Sequence, residues 1–295
     1  MLGAAFCLSA ALSFCAPSTH GRQGVVESPA PRQARTLLGV VLGREASSWL
    51  GEVEGRLGRE VYAEFAELDP EGAGGDYTLG ASYLTRAGVG VVRVDESVRA
   101  RGARATEAVI AHELLHLRLR ARGYPLFLFS PEVMTRRGPA QEVEQEHVND
   151  LVSLIEHRVF AAEMRRSGFD KLIDLTNGLD AARRRRGERD GQAEALNYAR
   201  ASLEWGDPRL LEELAGVHRA NGWTRSLGEG RRLSEIIRGA NITSPRDVAP
   251  VFLRCMSVLY AADFRLDTDA RFPLSKIYPQ VLIRSPRPAG KRRGG

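Results

Sequence analysis

The chain is poor in cysteine and in lysine. Its three cysteines, Cys7, Cys15 and Cys255, are too few to form the disulfide framework of a small secreted domain. We expect Cys255 to be a buried core thiol. Lysine occurs at three positions, so the formal net charge of +5 comes almost entirely from arginine. An arginine bias of this kind is typical of a GC-rich bacterial genome, and we expect no nucleic-acid partner from it.

Several motifs of common enzyme and repeat classes are also missing. The sequence contains no phosphate-binding glycine loop, no nucleophile elbow and no internal repeat. These absences exclude P-loop nucleotide enzymes, hydrolases with a serine elbow and solenoid proteins. The composition is otherwise that of a globular protein, with 43% hydrophobic and 27% charged residues among 295. A chain of this length can bury a substantial core.

The N-terminal part has two interpretations. Residues 2–16 are apolar, are too short to span a membrane, and have about the length of a signal-peptide core. This predicts an exported or membrane-associated protein. No positive charge opens the segment and no clean Ala-x-Ala site follows it, so an apolar leader on a cytoplasmic protein is the alternative. Residues 17–35 have the composition of a linker, and residues 1–44 together are expected to be signal-like or disordered.

The first motif that indicates a chemical function is His112-Glu113-Leu114-Leu115-His116. Residues 105–122 contain neither proline nor glycine and predict a helix. Two histidines four positions apart lie on one face of a helix, where both imidazoles can bind the same metal ion. Glu113 can reach a water on that metal. This is the His-Glu-x-x-His arrangement of zinc metalloproteases, and a core helix with two hydrogen-bonded histidines is the alternative.

A catalytic zinc needs a third protein ligand. One protease class has the pattern His-Glu-x-x-His-x-x-Gly-x-x-His, in which the third ligand is the last histidine. Here Leu119 replaces the glycine and Arg122 replaces that histidine, which excludes this class. The residues after Pro139 predict a second long helix, because proline suits the first helical position and acidic residues follow it. Glu146 and Asp150 share a stripe on this helix.

Glu146 and Asp150 form a Glu-x-x-x-Asp pattern that resembles the second helix of gluzincins, the thermolysin-like and related membrane proteases. In those proteins the glutamate is the third zinc ligand and the aspartate hydrogen-bonds a ligand histidine. The resemblance covers residues 76–165. It implies Zn2+ as cofactor, His112, His116 and Glu146 as ligands, and Asp150 as the residue that orients one histidine.

Three other residues in this region have alternative roles. His157 lies on the stripe of Glu146 and Asp150, two turns beyond Asp150, and is the alternative metal ligand. His147 lies nearer the apolar side and is expected to pack in the core. Tyr124, in an apolar loop at residues 123–129, is either a substrate or oxyanion contact or a core residue.

Periodicity predicts the remaining elements. Residues 45–68 indicate an amphipathic helix, and residues 77–84 and 89–94 a β-hairpin. In zincin folds a strand before the metal helix forms the edge that pairs with an extended peptide, and an ordinary sheet strand is the alternative. After residue 168 the chain is expected to be helical to about residue 264, with helix starts near Pro208 and Pro245.

The expected fold is α+β. A zincin-like domain with a small β-sheet and an active-site helix occupies residues 45–170. A mainly helical region follows at 171–285, and a basic disordered tail at 286–295. The expected function is zinc-dependent hydrolysis of peptide bonds in a peptide or protein substrate, with Glu113 as general base. A non-catalytic zincin scaffold, or a structural-zinc protein with a binding role, is the alternative.

Overall fold

The computed structural model describes residues 35–68, 79–85, 87–129, 140–172, 179, 182–183, 191–204, 207–260, 264–267 and 280–284. Residues 1–34 of the expected leader and linker and the basic tail lie outside these residues, as do Cys7 and Cys15. The end of the expected linker is described, and Thr36–Leu37 and Val40–Val41 pair there as antiparallel strands. The helices are α1 Arg44–Leu57, α2 Glu96–Arg99, α3 Ala103–Ala121, α4 Ala140–Ser167, α5 Gly191–Glu204, α6 Pro208–Ala220, α7 Thr224–Arg238 and α8 Val248–Tyr260. The strands are β1 Thr36–Leu37, β2 Val40–Val41, β3 Tyr62–Ala66, β4 Gly80–Leu84, β5 Gly90–Asp95, β6 Leu126–Phe129, β7 Arg265–Asp267 and β8 Gln280–Arg284.

This element order confirms the α+β class and the mainly helical C-terminal region. The two helices expected to carry the metal ligands are α3 and α4. Both have bounds close to the predicted ones. Helices α6 and α8 start at or just after the prolines that were expected to begin them, Pro208 and Pro245. None of the described helices has the length and hydropathy needed to cross a membrane.

The predicted first helix is too long. Helix α1 ends at Gly58, which caps it in the left-handed conformation with φ of 65°. Glycine adopts this conformation without the steric cost that a Cβ brings. The chain then enters strand β3, so residues 62–66 of the predicted helix form a strand instead. The helix therefore covers about half of residues 45–68.

The three-stranded sheet beside α3 has the order β3-β5-β4. The predicted hairpin is confirmed as β4 and β5, which pair antiparallel, and β3 pairs parallel with β5 on its other side. Strand β5 is therefore central and largely buried, so it is not the edge strand that the zincin comparison implied. The edge strand next to α3 is β4.

A second small sheet with the order β6-β8-β7 was not expected from the sequence. The apolar run at residues 126–129, expected to be a loop, is strand β6, because β8 from the C-terminal region pairs with it in parallel. Phe127 on β6 is fully buried and stacks on Phe252 of α8 with ring centroids 3.9 Å apart.

The main hydrophobic core surrounds α3 and α4 and joins both expected regions of the chain. Val109 and Leu119 lie three positions before His112 and three after His116, on the same face of α3, and both are buried in this core. Residues of α8, including the buried thiol of Cys255, belong to the same core. A smaller core lies between α5, α6 and α7.

Candidate metal centre

Three histidines from two helices meet at one point. Helix α3 presents His112 and His116 one turn apart, and α4 brings His157 against them. The Nε2 atom of His116 lies 3.2 Å from that of His112 and 3.1 Å from that of His157. The Phe160 ring covers all three imidazoles at centroid distances of 5.0–5.5 Å. Among the described residues, these histidines are the one group of three or more His, Cys, Asp or Glu side chains arranged to hold a metal ion.

The nitrogen spacing agrees with a tetrahedral metal ion. Zinc binds histidine nitrogen at about 2.0–2.1 Å, which puts two ligands of a tetrahedral site about 3.3–3.4 Å apart. The measured separations of 3.1 and 3.2 Å are close to that value. The residues present therefore fit a metal site with three histidine ligands.

The outer nitrogens of two of these rings are bound by carboxylates. His116 Nδ1 lies 2.7 Å from Glu156 Oε2, and His157 Nδ1 is hydrogen-bonded to Glu204 Oε1. An ionised carboxylate can only accept a hydrogen bond, so each Nδ1 carries the proton and donates it. If the two rings are neutral, the Nε2 atoms of His116 and His157 then carry lone pairs that face each other. Two such lone pairs repel unless a proton or a metal ion lies between them.

Burial favours the neutral form of His112. Burial is the main cause that holds the pKa of His112 well below its ordinary value, and the positive charges that His157 and His116 can carry lower it further. Burial alone would raise the pKa of Glu204, but its contact with His157 and the charge of Arg200 outweigh that effect and lower it. Burial thus disfavours a charge on His112, while the carboxylate of Glu204 is held in its ionised form beside His157.

Glu113 lies between α3 and the edge strand β4. It is 5% exposed, and its side chain is hydrogen-bonded to Ser82 of β4. A Cβ at Gly80 would lie 2.8 Å from Glu113 Oε1, so the strand approaches the carboxylate as closely as glycine allows. Burial raises the pKa of Glu113, and the charge of His116 opposes that rise. The carboxylate is therefore in electrostatic range of the histidine cluster.

The structure does not bring Glu146 or Asp150 to the histidines. Glu146 is exposed, and Asp150 forms an ion pair with Arg200 at 3.0 Å. The reason is the rise of a helix, about 1.5 Å per residue, which puts Glu146 about 16 Å and Asp150 about 10 Å along α4 from His157. The described geometry thus places the alternative ligand His157, and not Glu146, beside His112 and His116.

Sequence reasoning missed the two carboxylates that contact the histidines. Glu156 is buried, and it forms an ion pair with Arg120 as well as the bond to His116. Its position next to His157 in the sequence could have drawn attention to it. Glu204 lies 47 positions after His157 in a different helix, and no local pattern marks it.

Tyr124 and His147 lie in packed surroundings. Tyr124 is 6% exposed and belongs to the main core, and burial raises the pKa of its hydroxyl. This position agrees with the core alternative for Tyr124. His147 is 6% exposed and its Nδ1 lies 3.3 Å from the Tyr260 hydroxyl, as expected for a packing residue.

Comparisons of the chain with models of protein families, with curated proteins and with solved structures find no match. What the three histidines do is therefore inferred from their own geometry and chemistry.

Proposed function

We propose that the chain is a zinc-dependent metallopeptidase whose metal ligands are His112, His116 and His157. The observation that carries this proposal is the convergence of three Nε2 atoms with separations of 3.1 and 3.2 Å, together with a buried Glu113 that interacts electrostatically with His116. Three histidine ligands and an open fourth position are typical of catalytic zinc, whereas structural sites are usually closed by four protein ligands.

Glu113 is the general base in this proposal. Zinc bound by the three histidines would lower the pKa of a water to about 7 and polarise a substrate carbonyl. Glu113 accepts the proton of the attacking water and then delivers it to the leaving amine. Ser82 is hydrogen-bonded to the Glu113 carboxylate from the β4 side, and the close approach of the strand at Gly80 leaves that carboxylate little room to move.

Strand β4 supports a peptide as the proposed substrate. Its hydrogen bonds to β5 use one edge, and in the described part of the chain no other strand pairs with the opposite edge. An extended peptide can add to such an edge through main-chain hydrogen bonds. Because Glu113 lies against this strand, a peptide bound there would have its main chain near the proposed base.

The alternative function is a structural metal site. The observation that favours it is that hydrogen bonds at the site join different helices: Glu156 of α4 to His116 of α3, and Glu204 of α5 to His157 of α4. A metal ion held there would also stabilise the packing of these helices. Such a site has no need of Glu113 as a base.

The deciding experiment compares wild type, Glu113→Gln and a chelator-treated sample in zinc analysis and in digestion of an unbiased peptide library. We expect Glu113→Gln to keep its zinc and its fold but to lose turnover by about 10²–10⁴-fold, the usual contribution of a positioned base. Glu163→Gln is the matched control, because Glu163 forms an ion pair with Arg118 on the same pair of helices. If zinc-containing wild type, Glu113→Gln and the chelator-treated sample all give the same peptide digest, the structural site is favoured.

A further inference from the structure

The carboxylate of Glu204 comes from the C-terminal helical region, yet it contacts a proposed metal ligand. Glu204 is the last residue of α5, and its Oε1 is hydrogen-bonded to His157 Nδ1. The side chains are 12% and 14% exposed, so water competes little for this bond. The ring of His157 therefore has its outer nitrogen fixed by a residue that belongs to a different part of the chain.

The hydrogen bonds at the site follow one pattern. Glu156 on α4 binds the histidine of the preceding helix, His116 on α3, and Glu204 on α5 binds His157 on α4. In both cases the carboxylate meets Nδ1, so that Nε2 is the nitrogen turned toward the other histidines. Two ligand rings are thus oriented in the same way by carboxylates from two different helices.

Arginine side chains accompany both carboxylates. Arg120 forms an ion pair with Glu156. Arg200, one helical turn before Glu204 on α5, interacts electrostatically with Glu204 and also pairs with Asp150 on α4. Asp150 was expected to hydrogen-bond a ligand histidine directly. It instead forms an ion pair with Arg200, which interacts with Glu204, and Glu204 contacts the histidine. These contacts restrict where the end of α5 can lie against α4.

We infer that Glu204 is a positioning residue of the metal centre, so that helix α5 of the C-terminal region completes the site begun by α3 and α4. This inference rests on the proposed metal site, and it adds a residue that the His-Glu-x-x-His pattern does not include. Glu204 acts by fixing the tautomer and the direction of the His157 ring and by raising the basicity of its Nε2. Removal of the carboxylate is expected to weaken metal binding without removing a ligand.

The test is metal affinity in the full-length chain. Metal-free wild type, Glu204→Gln and Glu204→Asp are titrated with cobalt(II) in competition with a chromophoric chelator, and the visible bands of bound cobalt report the ligand geometry. We expect Glu204→Gln to bind one cobalt per chain about 10–100-fold more weakly, the usual effect of losing such a partner. Glu204→Asp keeps the charge but withdraws it by about 1.5 Å, one carbon–carbon bond, and should also bind more weakly. If Glu204→Gln does not fold, the cobalt affinity of Glu204→Asp tests the positioning role.

Glu213→Gln is the matched control, because Glu213 forms an exposed ion pair with Arg183 on the same C-terminal region. This control should match wild type in affinity and in its cobalt spectrum. If both Glu204 variants bind one cobalt with wild-type affinity, Glu204 has no positioning role and the three-histidine site remains. If wild type binds no cobalt, or His157→Ala binds as well as wild type, the proposed metal site itself fails.

Discussion

The Nε2 atoms of His116 and His157 lie 3.1 Å apart although the two residues are 41 positions apart in the sequence. Their outer nitrogens both face carboxylates, so in neutral rings the short distance brings two lone pairs together. Two facing imidazole nitrogens are stable when they share a proton or bind the same metal ion. The pair therefore links the motif on α3 to His157 of α4, which was expected only as the alternative ligand.

The first prediction concerns the identity of the third ligand. We expect His157→Ala to lower zinc content to a small fraction of one ion per chain, because a three-histidine site that loses one ligand keeps only two. Glu146→Ala, on the same helix, should retain full zinc, because Glu146 is exposed. Metal analysis of the purified proteins after dialysis measures both. If Glu146→Ala loses its zinc and His157→Ala keeps it, Glu146 is the third ligand.

The sequence predicted some parts of this site because they depend on local geometry. The spacing of His112 and His116 fixes their common face once the segment is a helix, and α3 is that helix. The choice between Glu146 and the alternative ligand His157 could not be made in this way. Side chains of α4 contact α3 at different heights along the helix, and only the packing of the two helices selects the height of His157.

The fold, too, could be predicted from the sequence only where local residues determine it. The end of α1 could have been predicted, because Gly58 at a helix terminus commonly adopts a positive φ. Strand β6 could not, because a run of four apolar residues becomes a strand only when a partner is present. That partner, β8, lies more than 150 positions later, at residues 280–284.

The second prediction tests the close approach of β4 to Glu113. A Cβ at Gly80 would lie 2.7 Å from Val109 Cγ1 and 2.8 Å from Glu113 Oε1. We expect Gly80→Ala to lower the free energy of unfolding by about 1–3 kcal/mol, typical of overpacking, and to reduce turnover because the base is displaced. Zinc content should not change, because no ligand is touched.

Gly55→Ala is the control for that substitution. Gly55 lies in α1 with no atom within 4 Å of an added Cβ, and the change should stabilise the chain by up to about 1 kcal/mol through helix propensity. Urea unfolding and peptide turnover of the two variants provide the measurement. A Gly80→Ala protein that is as stable and active as wild type would show that β4 does not confine Glu113.

The third prediction concerns the packing of α7 on α5, the helix that carries Glu204. A Cβ at Gly230 would lie 2.6 Å from the carbonyl oxygen of Ala195 and 2.9 Å from Tyr198 Cβ. A main-chain carbonyl within a helix cannot move aside as a flexible side chain can. We therefore expect Gly230→Ala to lower the free energy of unfolding by about 1–3 kcal/mol.

Gly228 provides a control two positions away on the same helix. Its added Cβ would meet no atom within 4 Å, so Gly228→Ala should be neutral or stabilising by up to about 1 kcal/mol. Thermal and urea unfolding of both variants give the comparison. Equal stabilities of the two would mean that α5 and α7 are not in close contact at Gly230.

The last prediction is a pH dependence that arises away from the metal centre. His218 on α6 is fully buried between the rings of Tyr198 and Trp223, with its Nε2 atom 3.8 Å from Glu194 Oε2. Burial lowers the pKa of His218 from 6.5 to about 4. Glu194 on α5 is buried beside it, and the separation is too long for a hydrogen bond.

The direction of the effect follows from proton binding. Below pH 6.5 the unfolded chain takes up a proton at this histidine, whereas the folded chain does not do so until about pH 4. The stability that neutral His218 provides is therefore complete above pH 6.5 and is lost as the pH falls toward 4. For this pKa difference the loss between pH 7 and pH 5 is about 2 kcal/mol. His218→Phe keeps an aromatic ring and cannot titrate, so its free energy of unfolding should fall less over that interval. Urea unfolding of wild type and variant at both pH values measures the difference, and equal pH slopes would show that His218 does not titrate with a lowered pKa.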